Sequence, residues 1–152
     1  MVASILYRLG RFQPAFAHAF EVVRKFEEKC AELPAEDCYV THGRAGALQA
    51  IWFLRQELRD SNLGRDFVLA TSSAILMEGL KTGSKRDTGS LLMWERRGRS
   101  FLGAANGVVG ILHCLLGHTD EEWTTLEEAM PCVKQVVQQA IDSLADFRHE
   151  SG

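Results

Sequence analysis

Gly43-Arg44-Ala45-Gly46-Ala47-Leu48 and Gly107-Val108-Val109-Gly110-Ile111-Leu112 are one pattern, G-x-x-G-x-L, written twice 64 residues apart. Each copy opens a strongly apolar stretch. Each follows a polar residue, His42 in the first and Asn106 in the second. Glycines at i and i+3 strip side chains from one face of a helix's first turn, so another backbone or a ligand can come close there. A helical glycine costs about 1 kcal/mol against alanine, so two in one turn require a packing reason. Repetition at this spacing predicts helical hairpins, each with an inner and an outer helix. The alternative is a chance pair of glycine-containing helix starts.

Outward from these motifs the chain reads as helix. Ahead of the first, Phe16, Ala19, Phe20, Val23, Phe26 and Cys30 form one apolar stripe. Pro14 suits its first turn, and Leu33-Pro34 stops it. The helix opened near Gly43 carries Ala47, Ala50, Ile51, Leu54 and Leu58, and Trp52 and Phe53 broaden this into cover on two faces. Ser61-Asn62 predicts the cap of a third helix, whose apolar stripe is Leu63, Phe67, Ala70, Ala74 and Met77. Lys81 to Gly89 reads as a basic loop, followed by the short apolar patch Leu91 to Trp94. Phe101 to Gly117 predicts a fourth helix, apolar nearly all round and hence buried, ended by Gly117 in a left-handed conformation. Thr119 and Glu122 have capping-box spacing. Pro131 starts a new helix or kinks the old one, and Val133, Val136, Val137, Ala140, Ile141, Leu144 and Phe147 make the last stripe. No stretch alternates with period two. The fold class is all-α.

Composition narrows the function. The 152 residues are 46% hydrophobic and 24% charged, with 17 Lys and Arg against 20 Asp and Glu, for a net charge of −3. That balance suits a globular chain and gives no general attraction to nucleic acid. No apolar run reaches the roughly 20 residues of a membrane span, and the first residues lack a leader segment. The expectation is a cytoplasmic chain, with peripheral membrane association left open. Cys30, Cys38, Cys114 and Cys132 form no CxxC and read as thiols. His113, Cys114 and His118 fall about 100° or more apart on one helix and do not converge on a metal. Arg96, Arg97 and Arg99 offer forked donors to an acidic ligand, or line a solvated loop.

The motifs also carry a family resemblance. Cys38-Tyr39-Val40-Thr41-His42-Gly43-Arg44-Ala45-Gly46 resembles the YGRxG segment of eukaryotic lanthionine synthetase C-like (LanC-like) proteins. Phe101-Leu102-Gly103-Ala104-Ala105-Asn106-Gly107-Val108-Val109-Gly110-Ile111 resembles their (Y/F)-x-GAAHGLAGI segment. Order and spacing agree from roughly Gly10 to Phe147. The resemblance implies an α/α toroid, of which this chain would be a central fragment. It would form a single partial domain over 1–152, an incomplete ring with the glycine starts on inner helices. It also implies a zinc ion held by two Cys and one His, a thiol made nucleophilic as thiolate, and addition of glutathione to dehydroamino acids.

The chain departs from that pattern. It has no Cys-His dipeptide, and it ends about where the family supplies one. Asn106 stands where the family has its catalytic His, and Asn does not titrate near neutral pH. Tyr39 occupies a place where the family often has an acidic residue, with Asp37 two positions off, and His42 replaces a Tyr. The expectation is therefore a non-catalytic module binding a peptide or a thiol ligand such as glutathione, with no metal or cofactor of its own. Its motif residues would be His42, Gly43, Arg44, Gly46, Gly103, Asn106, Gly107 and Gly110. The alternatives are a fragment of an active zinc-dependent enzyme and a purely structural helical domain. Unpaired edge helices of a partial ring would expose apolar faces and promote self-association.

Overall fold

The computed structural model describes residues 12–85 and 91–146. They form six helices and one short hairpin: α1 (Phe12–Glu32), α2 (Arg44–Leu58), α3 (Arg65–Gly83), β1 (Glu95–Arg96), β2 (Arg99–Ser100), α4 (Val108–Leu115), α5 (Asp120–Ala129) and α6 (Val133–Asp146). The fold is all-α. Among the described residues no helix is long and apolar enough to cross a membrane. α2 is the hub, packed on α1, α3 and α4, while α5 bridges α3 to α6, and α6 also packs on α4.

The two glycine motifs fold alike. Gly43 and Gly107 are both N-caps in extended conformation. Ahead of each, the chain doubles back and lends carbonyls to the new helix. Arg44 and Ala45 N–H donate to Asp37 and Cys38, and Val108 and Val109 N–H donate to Phe101 and Leu102. A Cβ on Gly46 would lie 2.0 Å from the Val40 carbonyl oxygen, and one on Gly110 would lie 1.8 Å from that of Ala104. Every partner in the second loop is 64 positions after its counterpart in the first. The repeat is thus a repeat of backbone path, held by glycine at the same close approach.

This path overturns the expectation of a long fourth helix over Phe101 to Gly117. The helix has eight residues, because the Phe101 and Leu102 carbonyls are already spent on its first N–H groups. Nor is it buried all round, since Val109, His113 and Leu116 are exposed. Gly117 is not left-handed: the described glycines with positive φ are Gly64 and Gly98. It is small because the Trp52 indole lies on it, with Nε1 only 2.6 Å from where a Cβ would stand. That indole N–H donates to the Cys114 carbonyl at 2.8 Å and pins α2 to α4.

Other boundaries shift for local reasons. Ser61-Asn62 does not cap α3. Asp60 Oδ1 accepts the Asn62 N–H at 3.0 Å and makes a turn, and Gly64 caps at φ 65°. α3 runs through Lys81 to Gly83, so the basic loop starts later than the sequence suggests. Arg86 and Phe147 lie outside the described residues, as do the side chains of Phe16, Ala19 and Phe20. The strand-free expectation misses the β1–β2 pair, whose turn residues Arg97 and Gly98 both have positive φ, as a tight hairpin needs. Phe53 is exposed, so α2 is covered on fewer sides than its composition suggests. The Thr119–Glu122 capping box forms with both of its hydrogen bonds.

Glu122 does more than cap. Its buried carboxylate takes two hydrogen bonds from Arg55, at 2.8 and 3.1 Å, and Arg55 Nε donates to the Leu63 carbonyl at 2.8 Å. Burial alone would raise the Glu122 pKa, but the Arg55 guanidinium and the Thr119 N–H outweigh it and hold the carboxyl below its ordinary value. Beside this pair, His118 lies between Trp52 and Trp123. The Leu115 carbonyl can only accept, so His118 Nδ1 carries the proton, and Nε2 accepts from Ser72 Oγ at 2.7 Å. Burial lowers the His118 pKa and keeps the ring neutral.

Three predictions follow from these contacts. Gly46→Ala and Gly110→Ala each lose about 1–3 kcal/mol in urea unfolding, because backbone must move to admit the methyl. Gly103→Ala stays within about 0.5 kcal/mol, since nothing lies within 4 Å of its would-be Cβ. The second concerns acid. Both Glu122 and His118 have lowered pKa values in the fold, so both contributions are lost as pH falls. The His118 contribution is complete above about 6.5 and fades below it, and the Glu122 contribution fades below about 4.5. The urea midpoint should therefore drop in two stages, and His118→Gln should flatten only the upper one. Arg55→Met should cost about 3–5 kcal/mol by stranding a buried carboxylate, and adding Glu122→Gln should recover much of it.

Candidate functional site

The two loops ahead of α2 and α4 dock on each other. Thr41 N–H donates to the Ala105 carbonyl at 3.2 Å, and Thr41 Oγ1 donates to Asn106 Oδ1 at 2.6 Å. The hydroxyl bond leaves the Asn106 amide N–H groups as donors facing away from Thr41. Next to Thr41, His42 is exposed on the same loop. The fold thus brings His42, Gly43 and Gly46 together with Asn106, Gly107 and Gly110. Gly103 lies on the outer rim of the second loop in open space.

Arg44 goes elsewhere. It is buried, and its guanidinium donates to the carbonyls of Pro34 at 2.6 Å, Leu33 at 2.8 Å and Cys30 at 3.4 Å. It closes the C-terminal end of α1, where unpaired carbonyls and the helix dipole favour a cation. Its donors are spent on backbone.

A cavity of about 290 Å³ opens between the first loop and α1. Phe26, Leu33 and Val40 give it apolar walls, Gly46 gives it a floor without side chain, and Lys29, Thr41 and His42 give it a polar rim. This arrangement can seat a short peptide-like group and meet a carboxylate with Lys29. The first loop is braced from outside. Tyr39 is buried, its hydroxyl donates to Asp37 Oδ1 at 2.9 Å, and Arg96 from β1 stacks 4.4 Å above its ring. Of the three hairpin arginines, Arg96 is therefore engaged with the site's support, while Arg97 and Arg99 are exposed.

The zinc ion implied by the resemblance needs two thiolates and an imidazole close together. All four cysteines are free thiols, but Cys30, Cys38 and Cys114 are buried. Burial pushes the Cys38 thiol up to about 12, against a smaller opposing pull from Arg44, and the Cys114 thiol up to about 11. Cys38 Sγ donates to the Ala35 carbonyl, as a protonated thiol does. His113 faces out, and both ring nitrogens of His118 are engaged. Among the described residues no three metal-binding side chains converge, and the residues do not fit the ion.

Sequence reasoning passed over Arg55 and gave Thr41 no role of its own. Arg55 had a signal, a lone cation inside an apolar stripe, which requires a buried partner. Thr41 had none, because its partner lies 65 residues away in the other loop.

Comparison with known proteins finds a partial likeness. No family profile matches the chain. Over 75 residues the chain is 36% identical to LanC-like protein GCL1 of Arabidopsis thaliana. The matched stretch is 49% of this chain and 17% of that protein. The chain therefore spans well under two thirds of the curated relative it matches, and the similarity supports the likeness to LanC-like proteins at the level of the family.

Proposed function

We propose that this chain is an arc of a LanC-like α/α toroid that binds a peptide or a thiol ligand of the glutathione type and does no bond-making chemistry itself. One observation carries the reading: the two glycine-start loops are docked through Thr41 and Asn106 beside an open, polar-rimmed cavity. Lys29 supplies a cation for a ligand carboxylate, and Asn106 and His42 supply hydrogen-bonding groups. Asn106 replaces the family's titrating residue, and burial raises the pKa of the Cys30 thiol that lines the cavity, which favours the thiol over a ready thiolate. The location in the cell that best suits this reading is the cytoplasm, where glutathione is abundant and cysteines stay reduced.

The test is isothermal titration with glutathione, and with a short cysteine-containing peptide as second probe. Saturable heat with at least one probe is expected. Lys29→Ala and Asn106→Ala should each weaken binding about tenfold, which is about 1.4 kcal/mol. Lys134→Ala, on the exposed side of α6, should leave it unchanged. No saturable heat with either probe would refute the reading.

A further inference from the structure

We infer that copies of this chain assemble head to tail, with the outer face of α4 in one copy seated on the Gly46–Phe53 face of α2 in the next. The pattern for this contact already exists inside the chain. The first loop and α2 present Val40, Thr41 and Trp52 to α4. Val40 Cγ2 sits 2.9 Å from where a Cβ on Gly110 would stand, Thr41 N–H meets the Ala105 carbonyl, and Trp52 covers Gly117. Moved on by the 64-residue repeat, the presenting residues become Ala104, Ala105 and Leu116. Moved back by the same step, the receiving residues Gly110, Ala105 and Gly117 become Gly46, Thr41 and Phe53.

Both derived faces are open. Leu116 is 56% exposed and Phe53 is 42% exposed. Val109 is 43% exposed, although its repeat counterpart Ala45 is fully buried. The atoms nearest a Cβ on Gly46 all belong to Val40 of its own loop, whereas Gly110 also receives Val40 from the neighbouring one. Inside the chain a large Trp52 meets Gly117, and between copies Leu116 would meet Phe53, so both sides of the contact are apolar and the bulk is shared between them. Neither set holds a Lys, Arg, Asp or Glu: α4 offers Val109, His113 and Leu116, and α2 offers Gly46, Gln49 and Phe53. Interface centres are likewise poor in charged residues. Because the two faces differ, the contact is heterologous, and it propagates into a ring or a chain of copies. Incoming Ala104 and Ala105 would enter the cavity beside Gly46, so a neighbouring copy and a ligand compete there. The assembly is measured without ligand, which keeps it independent of the binding reading.

Sedimentation equilibrium or light scattering from low micromolar to near-millimolar protein tests this. The wild-type mass should rise above the monomer with concentration. Leu116→Glu and Phe53→Glu should each be monomeric, with far-UV circular dichroism unchanged because both side chains are already exposed. An equimolar mixture of the two variants should give a dimer and nothing larger, since each supplies one intact face. A wild-type chain that stays monomeric throughout would overturn the inference. So would assembly abolished by only one of the two variants, or a mixture that remains monomeric.

Discussion

A carbonyl oxygen pressed against a glycine Cα, made once at Gly46 and again at Gly110, is the constraint on which the rest of this molecule depends. It lets each incoming chain fold back against the first turn of the helix it precedes. The loop carbonyls then satisfy N–H groups that a helix start would otherwise leave to water or a side-chain cap. Neither Gly43 nor Gly107 provides a side-chain cap, so the loop performs that role. With both loops fixed in this way, Thr41 and Asn106 meet, and the cavity beside them takes its shape.

The remainder of the core secures the two repeats against each other. Trp52 bonds α2 to the end of α4, and the Arg55–Glu122 pair bonds α2 to the start of α5. Glu122 serves as cap and counterion at once, so the α5 terminus and the α2 cation are satisfied by one carboxylate. A buried ion pair of this kind adds little net stability but penalises any packing that separates its members. Its position between the repeats therefore specifies how they sit, more than how tightly they hold.

Much of the loop architecture around the candidate site was legible as sequence. The paired G-x-x-G-x-L motifs, their polar neighbours His42 and Asn106, and the capping box all occupy the places that their spacing implies. The misreadings share a cause. Phe101 to Val109 looked helical because apolar residues crowd there, but the same stretch serves as loop, helix start and exposed face in turn. Gly117 looked like a helix terminator because glycine usually is one, whereas here Trp52 demands the space. Arg44 sits inside a motif and looked available to a ligand, yet its donors close the end of α1.

Residue spacing by itself determined the helical class, the repeat and where each repeat unit begins, because periodicity, proline stops and glycine starts act within a few residues of chain. It could not determine which side chains face each other across 60 or more positions. The Thr41–Asn106 contact, the partner of Arg55 and the exposure of Leu116 and Phe53 are set by how the helices pack. Packing decides them because hydrogen bonding and burial depend on distance in space, which local sequence pattern does not encode.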